Sequence, residues 1–330
     1  MRILITGGAG FIGSHTTDLL AVSGHKVTVY DNLSTGSLHN LSMSRHRVDL
    51  VEGDVRDIRT LAGLIRERKF DAILHLAAVA SVDKARNLPR WSQGVNVGGT
   101  LNVLEAARKY GVRRVVLASS AAVYGNSPKV PSSEDGMLQA VSHYGVHKVM
   151  CELYARTYAH LYALETVCLR YFNVYGPRQL AGSPYSGVIT KFVHALLHEG
   201  TVRIDGDGRQ TRDFIYVHDV AGANIAALFN DRLTGAIINV GSGHATSVLE
   251  MYRLLCRLLE RDQEPLFGPS RPGDILHSRA DVREMRRLLN DRPVASLEIG
   301  LGLTIKGLVD EATGDTWAEA MAPQLAAAAV

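Results

Sequence analysis

Residues 2 to 13 read Arg2-Ile-Leu-Ile-Thr-Gly-Gly-Ala-Gly-Phe-Ile-Gly13. The apolar or β-prone run Ile3 to Thr6 predicts a short buried strand. Glycines then recur at every third position, as Gly7, Gly10 and Gly13, and Ser14 to Leu20 has the pattern of a helix that Gly24 ends. A strand, a glycine turn and a helix start predict a phosphate cradle, in which backbone N–H groups and the positive end of the helix approach a pyrophosphate.

The second predicted strand indicates which dinucleotide this cradle binds. Lys26 to Tyr30 alternates as a strand does, and Asp31 follows it, 18 residues after Gly13. A carboxylate there accepts hydrogen bonds from both ribose hydroxyls of an adenosine and repels a 2′-phosphate. No Arg or Lys lies between Asp31 and Arg45. We therefore expect NAD rather than NADP. The alternative is a tight turn that binds no ligand.

Strands and helices alternate over the first 120 residues. Further strands are predicted at Val48–Glu52, Asp71–Ala78 and Arg114–Ala118, with helices at Asp57–Arg68 and Val95–Tyr110 between them. Such alternation is typical of a parallel sheet with helices on both faces. The predicted fold class is α/β, a Rossmann-type doubly wound parallel sheet with a smaller α/β substrate-binding domain.

Ligands of such sheets bind beyond the carboxyl ends of the strands. Residues that end or follow the predicted strands should therefore meet in one crevice: Gly7, Asp31, Asp54, Ala77 and Ser120. Asp54 either accepts from the adenine amino group or caps the helix that follows, or does both. We interpret His75 as a core or turn histidine, and we expect Asn96 to face the cofactor.

Composition excludes several function classes. The 330 residues carry a net charge of +3, which is too small and too evenly spread to indicate nucleic-acid binding. Three cysteines without CxxC spacing indicate neither a disulfide framework nor a zinc site, so no metal is expected. No apolar run approaches the ~18 residues of a membrane span. From the first residues we expect no signal peptide, and hence a soluble cytoplasmic protein without membrane partners.

Tyr144 and Lys148 carry the predicted chemistry. They are four residues apart in a predicted helix, and therefore lie on one face. A tyrosine acts as a base near pH 7 only if its phenolate is stabilised by about 4 kcal/mol. One positive charge ~6 Å away supplies roughly 3 kcal/mol at an effective dielectric near 20. Lys148 is predicted to supply most of this, and the Ser120 hydroxyl to bridge substrate and phenol. The alternative for such a pair alone is a solvated helix surface.

These motifs resemble those of the extended short-chain dehydrogenases/reductases. Within that superfamily the chain resembles the NAD-dependent nucleotide-sugar epimerases of the UDP-hexose 4-epimerase group, over residues 1 to about 315. Besides the glycine turn and Tyr144-x-x-x-Lys148, the resemblance is carried by Ala118-Ser-Ser-Ala-Ala-Val-Tyr-Gly125, Leu169-Arg-Tyr-Phe-Asn-Val-Tyr-Gly-Pro-Arg-Gln179, Arg212-Asp-Phe-Ile-Tyr-Val-His-Asp219 and Arg271-Pro-Gly-Asp274.

The resemblance implies a redox-neutral reaction with tightly bound NAD⁺. Tyr144 takes the sugar O4 proton as the C4 hydride goes to NAD⁺. Lys148 holds the ribose and the pKa of the tyrosine, and Ser120 bridges the substrate oxygen and the phenol. The 4-keto sugar then turns over, and the hydride returns to its other face. The implied cofactor-binding residues are Gly7, Gly10, Phe11, Ile12, Gly13, Asp31, Asn32, Asp54, Val55, Leu76, Ala77, Ala78, Asn96, Ser119, Tyr144, Lys148 and Tyr171.

The substrate side follows from the same resemblance. Arg212 and Arg271 are implied to contact the UDP diphosphate, although surface ion pairs with Asp213 or Asp274 are the alternative. The expected substrate-binding residues are Ala80, Ser120, Asn173, Gln179, Gly187, Val188, Arg203, Arg212, Arg271, Asp274 and Ser278.

The expected domains interleave along the chain. We assign residues 1–175 to an NAD-binding domain to which 217–235 return, and residues 176–216 and 236–320 to a UDP-sugar-binding domain. The Ala-rich end, 321–330, is expected to be a flexible tail.

A few positions narrow the substrate. The acids of 4,6-dehydratases and of uronate decarboxylases are missing, because Ala121 and Ala122 follow Ser120. Uronate 4-epimerases typically carry an arginine where this chain has Leu180, which disfavours but does not exclude a uronate, since Arg178 or another cation remains. Small residues at Ala80, Gly187 and Ser278 resemble the N-acetylhexosamine 4-epimerases. We therefore expect UDP-GlcNAc/UDP-GalNAc, with or without UDP-Glc/UDP-Gal. UDP-Glc/UDP-Gal alone and UDP-glucuronate/galacturonate are the alternatives.

Two readings from other classes remain open. A non-catalytic NAD-binding regulator usually lacks the Tyr/Lys pair, and a net oxidoreductase would consume reduced cofactor. The resemblance also implies a homodimer through the helices Asn96–Tyr110 and Tyr144–Ala163.

Overall fold

The computed structural model describes residues 1–127, 129–180, 187–198, 200–270, 275–289 and 295–313. The strands of these residues are β1 (Arg2–Thr6), β2 (Lys26–Asp31), β3 (Val48–Glu52), β4 (Ala72–His75), β5 (Arg114–Ser120), β6 (Glu165–Tyr171), β7 (Asn173–Tyr175), β8 (Arg203–Asp205), β9 (Thr211–Arg212), β10 (Phe214–Tyr216), β11 (Ala236–Val240), β12 (Thr246–Ser247) and β13 (Leu266–Gly268).

The helices of the same residues are α1 (Phe11–Val22), α2 (Ile58–Arg68), α3 (Val82–Asn87), α4 (Pro89–Gln93), α5 (Gly99–Lys109), α6 (His143–Tyr162), α7 (Val188–Leu197), α8 (Val217–Phe229), α9 (Val248–Leu258), α10 (Arg283–Leu289) and α11 (Leu297–Thr313). A π-helical turn, Gly94–Gly98, connects α4 to α5. No helix of the described residues is both long and apolar enough to cross a membrane.

A seven-stranded sheet with the order β11-β6-β5-β4-β1-β2-β3 forms the centre of the molecule. All its neighbouring strands are parallel, with Ile3 opposite Val27 and Ala72, for example. The strand order reverses between β1 and β4, because the chain first builds the β1–β3 side and then crosses over. In doubly wound sheets this reversal opens the crevice that binds ligands. The predicted Rossmann-type fold is therefore confirmed.

Each face of the sheet has its own apolar core. One core lies under α1, α8 and α10, and includes Leu20, Val220 and Leu289. The other lies under α2, α5 and α6, and includes Leu61 and Leu104. Side chains of one strand point alternately to the two faces, so Ile3 and Ile5 enter the first core and Leu4 the second.

A third apolar core belongs to a smaller unit beside the carboxyl ends of the strands. It joins helices α7, α9 and α11 to the short strands β7, β8 and β10, through Phe192, Met251 and Leu301 among others. Parallel strand pairs β10–β7 and β13–β8 and the antiparallel pair β12–β9 brace this unit. It faces the crevice of the main sheet.

The main sheet extends further along the chain than we predicted. We assigned residues from 236 onward to the smaller domain, but β11 (236–240) pairs with β6 in the central sheet. Helix α10 (283–289) packs against the core on the same side, through Met285 and Leu289. The boundary at 235 is therefore wrong. A strand that joins the edge of a sheet after a long excursion leaves no local signal of its partner.

Candidate active site

A cavity of about 760 Å³ lies between the carboxyl ends of the central strands and the smaller unit. It is lined by the glycine turn, by the ends of β2, β4, β5 and β6, and by residues at the start of α7. Three sets of predicted residues meet there: the cofactor cradle, the Ser/Tyr/Lys group and part of the sugar-binding set. No cluster of metal-ligating side chains occurs among the described residues.

The glycine turn has no room for side chains. A Cβ at Gly13 would lie 2.2 Å from the Gly7 carbonyl oxygen, and one at Gly7 would lie 2.7 Å from Ala77 N. Gly7 also has a φ of +73°, which L side chains rarely adopt. Helix α1 starts directly after the turn. Its N-cap is Gly10, so no side chain caps the first N–H groups of the helix. Its first N–H groups are left to a ligand, as a pyrophosphate site requires.

Asp31 closes the other side of this turn. Its carboxylate accepts hydrogen bonds from the backbone N–H groups of Ala9 (3.0 Å) and Leu33 (2.9 Å), and the residue lines the cavity. Burial raises the pKa of Asp31, and these two N–H groups oppose the rise. The bonds fix the carboxylate at the end of β2, where an adenosine ribose would lie. The cradle and this carboxylate together fit NAD.

Asp54 is held differently from our expectation. Its carboxylate binds Arg56 through Nε (2.9 Å) and Nη2 (2.7 Å), and also accepts from Asn32. The Arg56 guanidinium lowers the pKa of Asp54 to about 2. The N-cap of α2 is Asp57, so Asp54 does not cap that helix. Asp54 lines the cavity, as do Asn32 and Val55, and remains placed for the adenine end.

The segment formed by Leu76, Ala77 and Ala78 passes over the glycine turn. The predicted fourth strand is shorter than expected and ends at His75, because the chain turns there to pass over Gly7. His75 is buried between the hydroxyls of Thr6 (2.7 Å) and Thr100 (3.0 Å), and burial lowers its pKa to about 3. It is a core histidine, as predicted.

Asn96 does not line the cavity. The residue is 1 % exposed, and its side-chain amide bonds both the N–H (2.7 Å) and the carbonyl (3.1 Å) of Val79. We expected this side chain to face the cofactor, and the structure turns its amide to the Val79 backbone. Its amide is used to fix the loop after β4, which does line the cavity. The helical phase of Asn96 alone did not reveal this tertiary contact.

The predicted catalytic residues converge at the end of β5. Lys148 is 5 % exposed, and its Nζ donates to the Ala118 carbonyl at 2.7 Å. The same Nζ lies 5.7 Å from the centre of the Tyr144 ring. Ser120 ends β5, and its hydroxyl accepts from Ala122 N. All three residues line the cavity. The lysine therefore places a positive charge beside the tyrosine and fixes it to the strand that carries the serine.

Ser119 and Tyr171 line the cavity, but their hydroxyls are turned away to buried partners. Ser119 Oγ donates to Glu152, and Tyr171 Oη donates to Asn224. Both were predicted to bind the cofactor. Their side-chain polar groups instead hold the sheet to α6 and to α8.

The sugar-binding prediction divides into two groups. Ala80, Asn173, Gln179, Gly187 and Val188 line the cavity. Gln179 donates to the Val174 carbonyl (3.3 Å) and accepts from the Thr190 hydroxyl (2.7 Å). A Cβ at Gly187 would lie 2.9 Å from Gln179 Nε2. The missing side chain at 187 therefore leaves room for the glutamine amide.

The second group lies outside the cavity lining. Arg203 is mostly exposed near Asp205, and Arg212 donates to the Thr211 carbonyl at the edge of the smaller unit. Ser278 is tied by its N–H to the Thr211 carbonyl. The cavity lining does not include these three residues. Arg271 and Asp274 lie outside the described residues.

Arg178 is not a simple surface cation. Its Nη1 lies 2.7 Å from Asp18 Oδ2, and both side chains are nearly buried. The neighbouring Pro177 carbonyl accepts from His15 Nε2. The guanidinium is therefore used to join α1 to the segment after β7. Asp213, the alternative partner of Arg212, accepts instead from the N–H groups of Ser242, Gly243 and Ala280.

The cavity lining includes several residues that we did not predict from the sequence. Trp91 and Lys84 line the cavity, with Lys84 Nζ 4.8 Å from the centre of the tryptophan ring. Phe172 and Phe214 also line it. A tryptophan in a short polar segment five residues before Asn96 was a usable signal. The two phenylalanines gave no such signal, because their sequence pattern is that of buried strand residues.

Comparisons with known proteins agree with this geometry. The model of the NAD dependent epimerase/dehydratase family matches residues 3–241. A UDP-glucose 4-epimerase of Mycolicibacterium smegmatis is 40% identical over 311 residues, which are 93% of this chain and 98% of the relative.

Two solved structures have the same fold. A UDP-glucose 4-epimerase from Thermotoga maritima, solved with UDP-glucose, superposes with a TM-score of 0.91 at 36% identity, covering 94% of this chain and 100% of the other. A UDP-N-acetylglucosamine 4-epimerase from Methanobrevibacter ruminantium, in complex with UDP-N-acetylmuramic acid, gives 0.90 at 36% identity, covering 94% and 98%. With its glycine cradle, its Ser/Tyr/Lys group and these matches, the chain belongs to the NAD-dependent epimerase/dehydratase family.

Proposed function

We propose that this chain is an NAD-dependent UDP-sugar 4-epimerase. The observation that carries the proposal is one cavity whose lining includes Gly7 and Asp31 of the cradle, the Tyr144/Lys148 pair and Asn173. The predicted cofactor cradle, the Tyr/Lys pair and part of the predicted sugar-binding set therefore line the same cavity. The relatives reported above are UDP-sugar 4-epimerases by name.

The side chains have separable roles in this proposal. Tyr144 takes the proton of the sugar 4-hydroxyl, with the Lys148 ammonium beside it to stabilise the phenolate. Ser120 hydrogen-bonds the same sugar oxygen. Bound NAD supplies the hydride chemistry at C4. The 4-keto sugar then turns in the site, and Tyr144 gives its proton back to O4 when the hydride returns to the other face of C4.

We propose UDP-GlcNAc and UDP-GalNAc as the main substrate pair, with UDP-Glc and UDP-Gal as additional substrates. Ala80 is a small residue on the cavity wall, and Gly187 leaves room there for the Gln179 amide, which supports a sugar with a 2-acetamido group. Gln179 adds an amide that is held in place by Thr190 and Val174. A related structure is a UDP-N-acetylglucosamine 4-epimerase by name.

We also propose that the enzyme is a homodimer that uses α5 and α6. Helix α6 exposes Val146, Leu153 and Leu161, which lie seven and eight residues apart and thus on one face. A large apolar face at this position supports association with a second copy.

The test is a product assay on purified protein without added cofactor. UDP-GlcNAc, UDP-Glc and UDP-glucuronate are offered separately, and anomeric proton NMR follows the C4 epimer. We expect conversion of UDP-GlcNAc. Conversion of UDP-glucuronate alone would refute the proposed substrate and would require another cation for the carboxylate. No conversion of any UDP sugar would refute the proposed function.

The glycine at position 187 provides a test of the specificity. In Gly187→Ala the new Cβ displaces the Gln179 amide from its present position. We expect kcat/KM to fall about tenfold for UDP-GlcNAc and less for UDP-Glc, since removal of one polar contact is worth on the order of 1–2 kcal/mol. Gly302→Ala is the control, because a Cβ there meets no atom within 4 Å. Equal losses for both sugars would contradict a role in specificity.

A further inference from the structure

A buried ion pair lies directly behind the Ser/Tyr/Lys group. Glu152 and Arg170 are each 2 % exposed, and the guanidinium binds both carboxylate oxygens at 2.8 Å. Glu152 is on α6, four residues after Lys148, and Arg170 is on β6. Neither residue has a part in the reaction proposed above.

The ion pair also holds the strand that ends in Ser120. Ser119 Oγ donates to Glu152 Oε1, while Lys148 Nζ donates to the Ala118 carbonyl. Two consecutive residues of β5 are therefore fastened to two consecutive turns of α6. Because Ser120 is the next residue of the strand, its position relative to Tyr144 depends on these two bonds.

Arg170 is itself fixed on its far side. Its Nη1 donates to Tyr124 Oη (2.8 Å) and to the Glu134 carbonyl (3.1 Å), and Tyr124 donates to Asn239 on β11. Helix α6 is thus bound through Glu152 to three neighbouring strands, β5, β6 and β11. Hydrogen bonds to buried charges are stronger and more directional than neutral ones.

We propose that Glu152, held by Arg170, is a positioning residue that keeps the end of β5 in place against α6 and so sets the Ser120–Tyr144 geometry. The inference rests on the proposed function for its activity test. A displacement of about 1 Å in a reacting group can cost on the order of 100-fold in rate. Loss of the Glu152 contacts should therefore lower kcat more than it changes substrate binding.

The chain contains a matched control at the other ends of the same strands. Arg114 at the start of β5 is fully buried and binds Glu165 at the start of β6 through Nε (2.9 Å) and Nη2 (2.6 Å). This pair joins β5 to β6 without touching the cavity. A merely structural role for Glu152 would give the same result in both pairs.

Thr166 follows Glu165 on β6, and its hydroxyl donates to the Ala155 carbonyl of α6 at 2.9 Å, outside the cavity lining. The experiment compares Glu152→Gln and Ser119→Ala with Glu165→Gln and Thr166→Val, on holoenzyme in each case. Ser119→Ala keeps the ion pair intact and so protects the test if Glu152→Gln does not fold. We expect kcat to fall about 10- to 100-fold in Ser119→Ala and Glu152→Gln, with KM for the UDP sugar within about twofold of wild type. Glu165→Gln and Thr166→Val should keep kcat, even where they lower the melting temperature.

Hydrogen–deuterium exchange of residues 118–124 gives a readout that needs no substrate. Exchange there should rise in Ser119→Ala and stay at the wild-type rate in Thr166→Val. Unchanged exchange in Ser119→Ala, or kcat losses equal to those of the control pair, would overturn the positioning role. If wild type converts no UDP sugar, the proposed function fails, and the exchange data still decide whether Glu152 holds the end of β5.

Discussion

Tyr144 is the residue on which the proposed reaction depends. Its phenol lines the cavity beside Lys148, so Tyr144→Phe removes the proton acceptor and leaves the packing nearly unchanged. We expect kcat to fall by about 10²- to 10⁴-fold, since this is the usual contribution of a positioned base. The retained NAD, measured by absorbance after denaturation, should equal that of wild type.

Tyr162→Phe is the matched control for this substitution. Tyr162 is on the same helix, and its ring contacts Arg108 on the surface. Its loss should leave kcat within about twofold of wild type. Undiminished turnover in Tyr144→Phe would remove the tyrosine from the mechanism.

The glycine turn gives a second prediction at this scale. In Gly13→Ala the Cβ would meet the Gly7 carbonyl oxygen at 2.2 Å, so the turn must open. We expect less than a tenth of the wild-type NAD content per chain, and a loss of stability of about 2 kcal/mol or more. Gly63→Ala, in α2 with no atom within 4 Å of the new Cβ, should instead be neutral or stabilising. Wild-type NAD content in Gly13→Ala would contradict the cradle.

Local spacing predicted some site residues and not others. Gly7, Gly13, Tyr144 and Lys148 could be found because their roles follow from backbone conformation or from helix periodicity. The roles of Asn96 and Ser119 depend on partners that are 17 and 33 residues away in sequence. The neighbouring residues in the sequence do not indicate the direction in which these two polar side chains point.

Among the secondary-structure elements, helix α6 has two faces with different roles. One carries Lys148 and Glu152 to the sheet, and the other exposes Leu153, which is 55 % accessible. We expect wild type to have twice the chain mass by light scattering, and Leu153→Glu to shift it toward the monomer, because a charge would have to be buried in the interface. Leu266→Glu, a change at an equally exposed leucine of β13, should keep the wild-type mass. A monomeric wild type would contradict the proposed dimer.

The order of strands could be predicted only where successive strands of the central sheet follow one another closely in the sequence. The first five strands start 22 to 42 residues apart, so the doubly wound pattern is visible in the sequence. The edge strand β11 comes after the β7–β10 excursion and α8, and pairs with β6 about 70 residues earlier. Such long-range pairing is decided by the free sheet edge and not by local preference.

At the scale of the whole molecule, Asp219 joins the two parts of the structure. Its carboxylate, at the start of α8, accepts from Ala295 N just before α11. Burial raises its pKa from 3.8 to about 6, although the Ala295 N–H opposes the rise. A pKa raised in the folded state means that folding favours the protonated acid. This residue therefore destabilises the protein progressively as the pH rises from about 4 through 6.

We predict that Asp219→Asn is more stable than wild type at pH 8 and equal to it at pH 4. The shift sets an upper limit of about 3 kcal/mol, and partial exposure reduces the expected gain to about 1 kcal/mol. Urea unfolding at the two pH values measures it. Asp231→Asn, which removes an exposed partner of Arg113, should show no gain at pH 8. A gain of equal size at both pH values would show that the charge of Asp219 is not the cause.

The central claim is that one enzyme removes and returns the same hydride at C4 of a UDP sugar. The most direct measurement uses UDP-GlcNAc deuterated at C4, purified protein and no added cofactor, with mass spectrometry and NMR of the products. We expect a mixture of C4 epimers that retain deuterium at C4, and no accumulation of reduced cofactor. Epimers that have exchanged this deuterium for solvent hydrogen would contradict it, because the hydrogen would then have left as a proton.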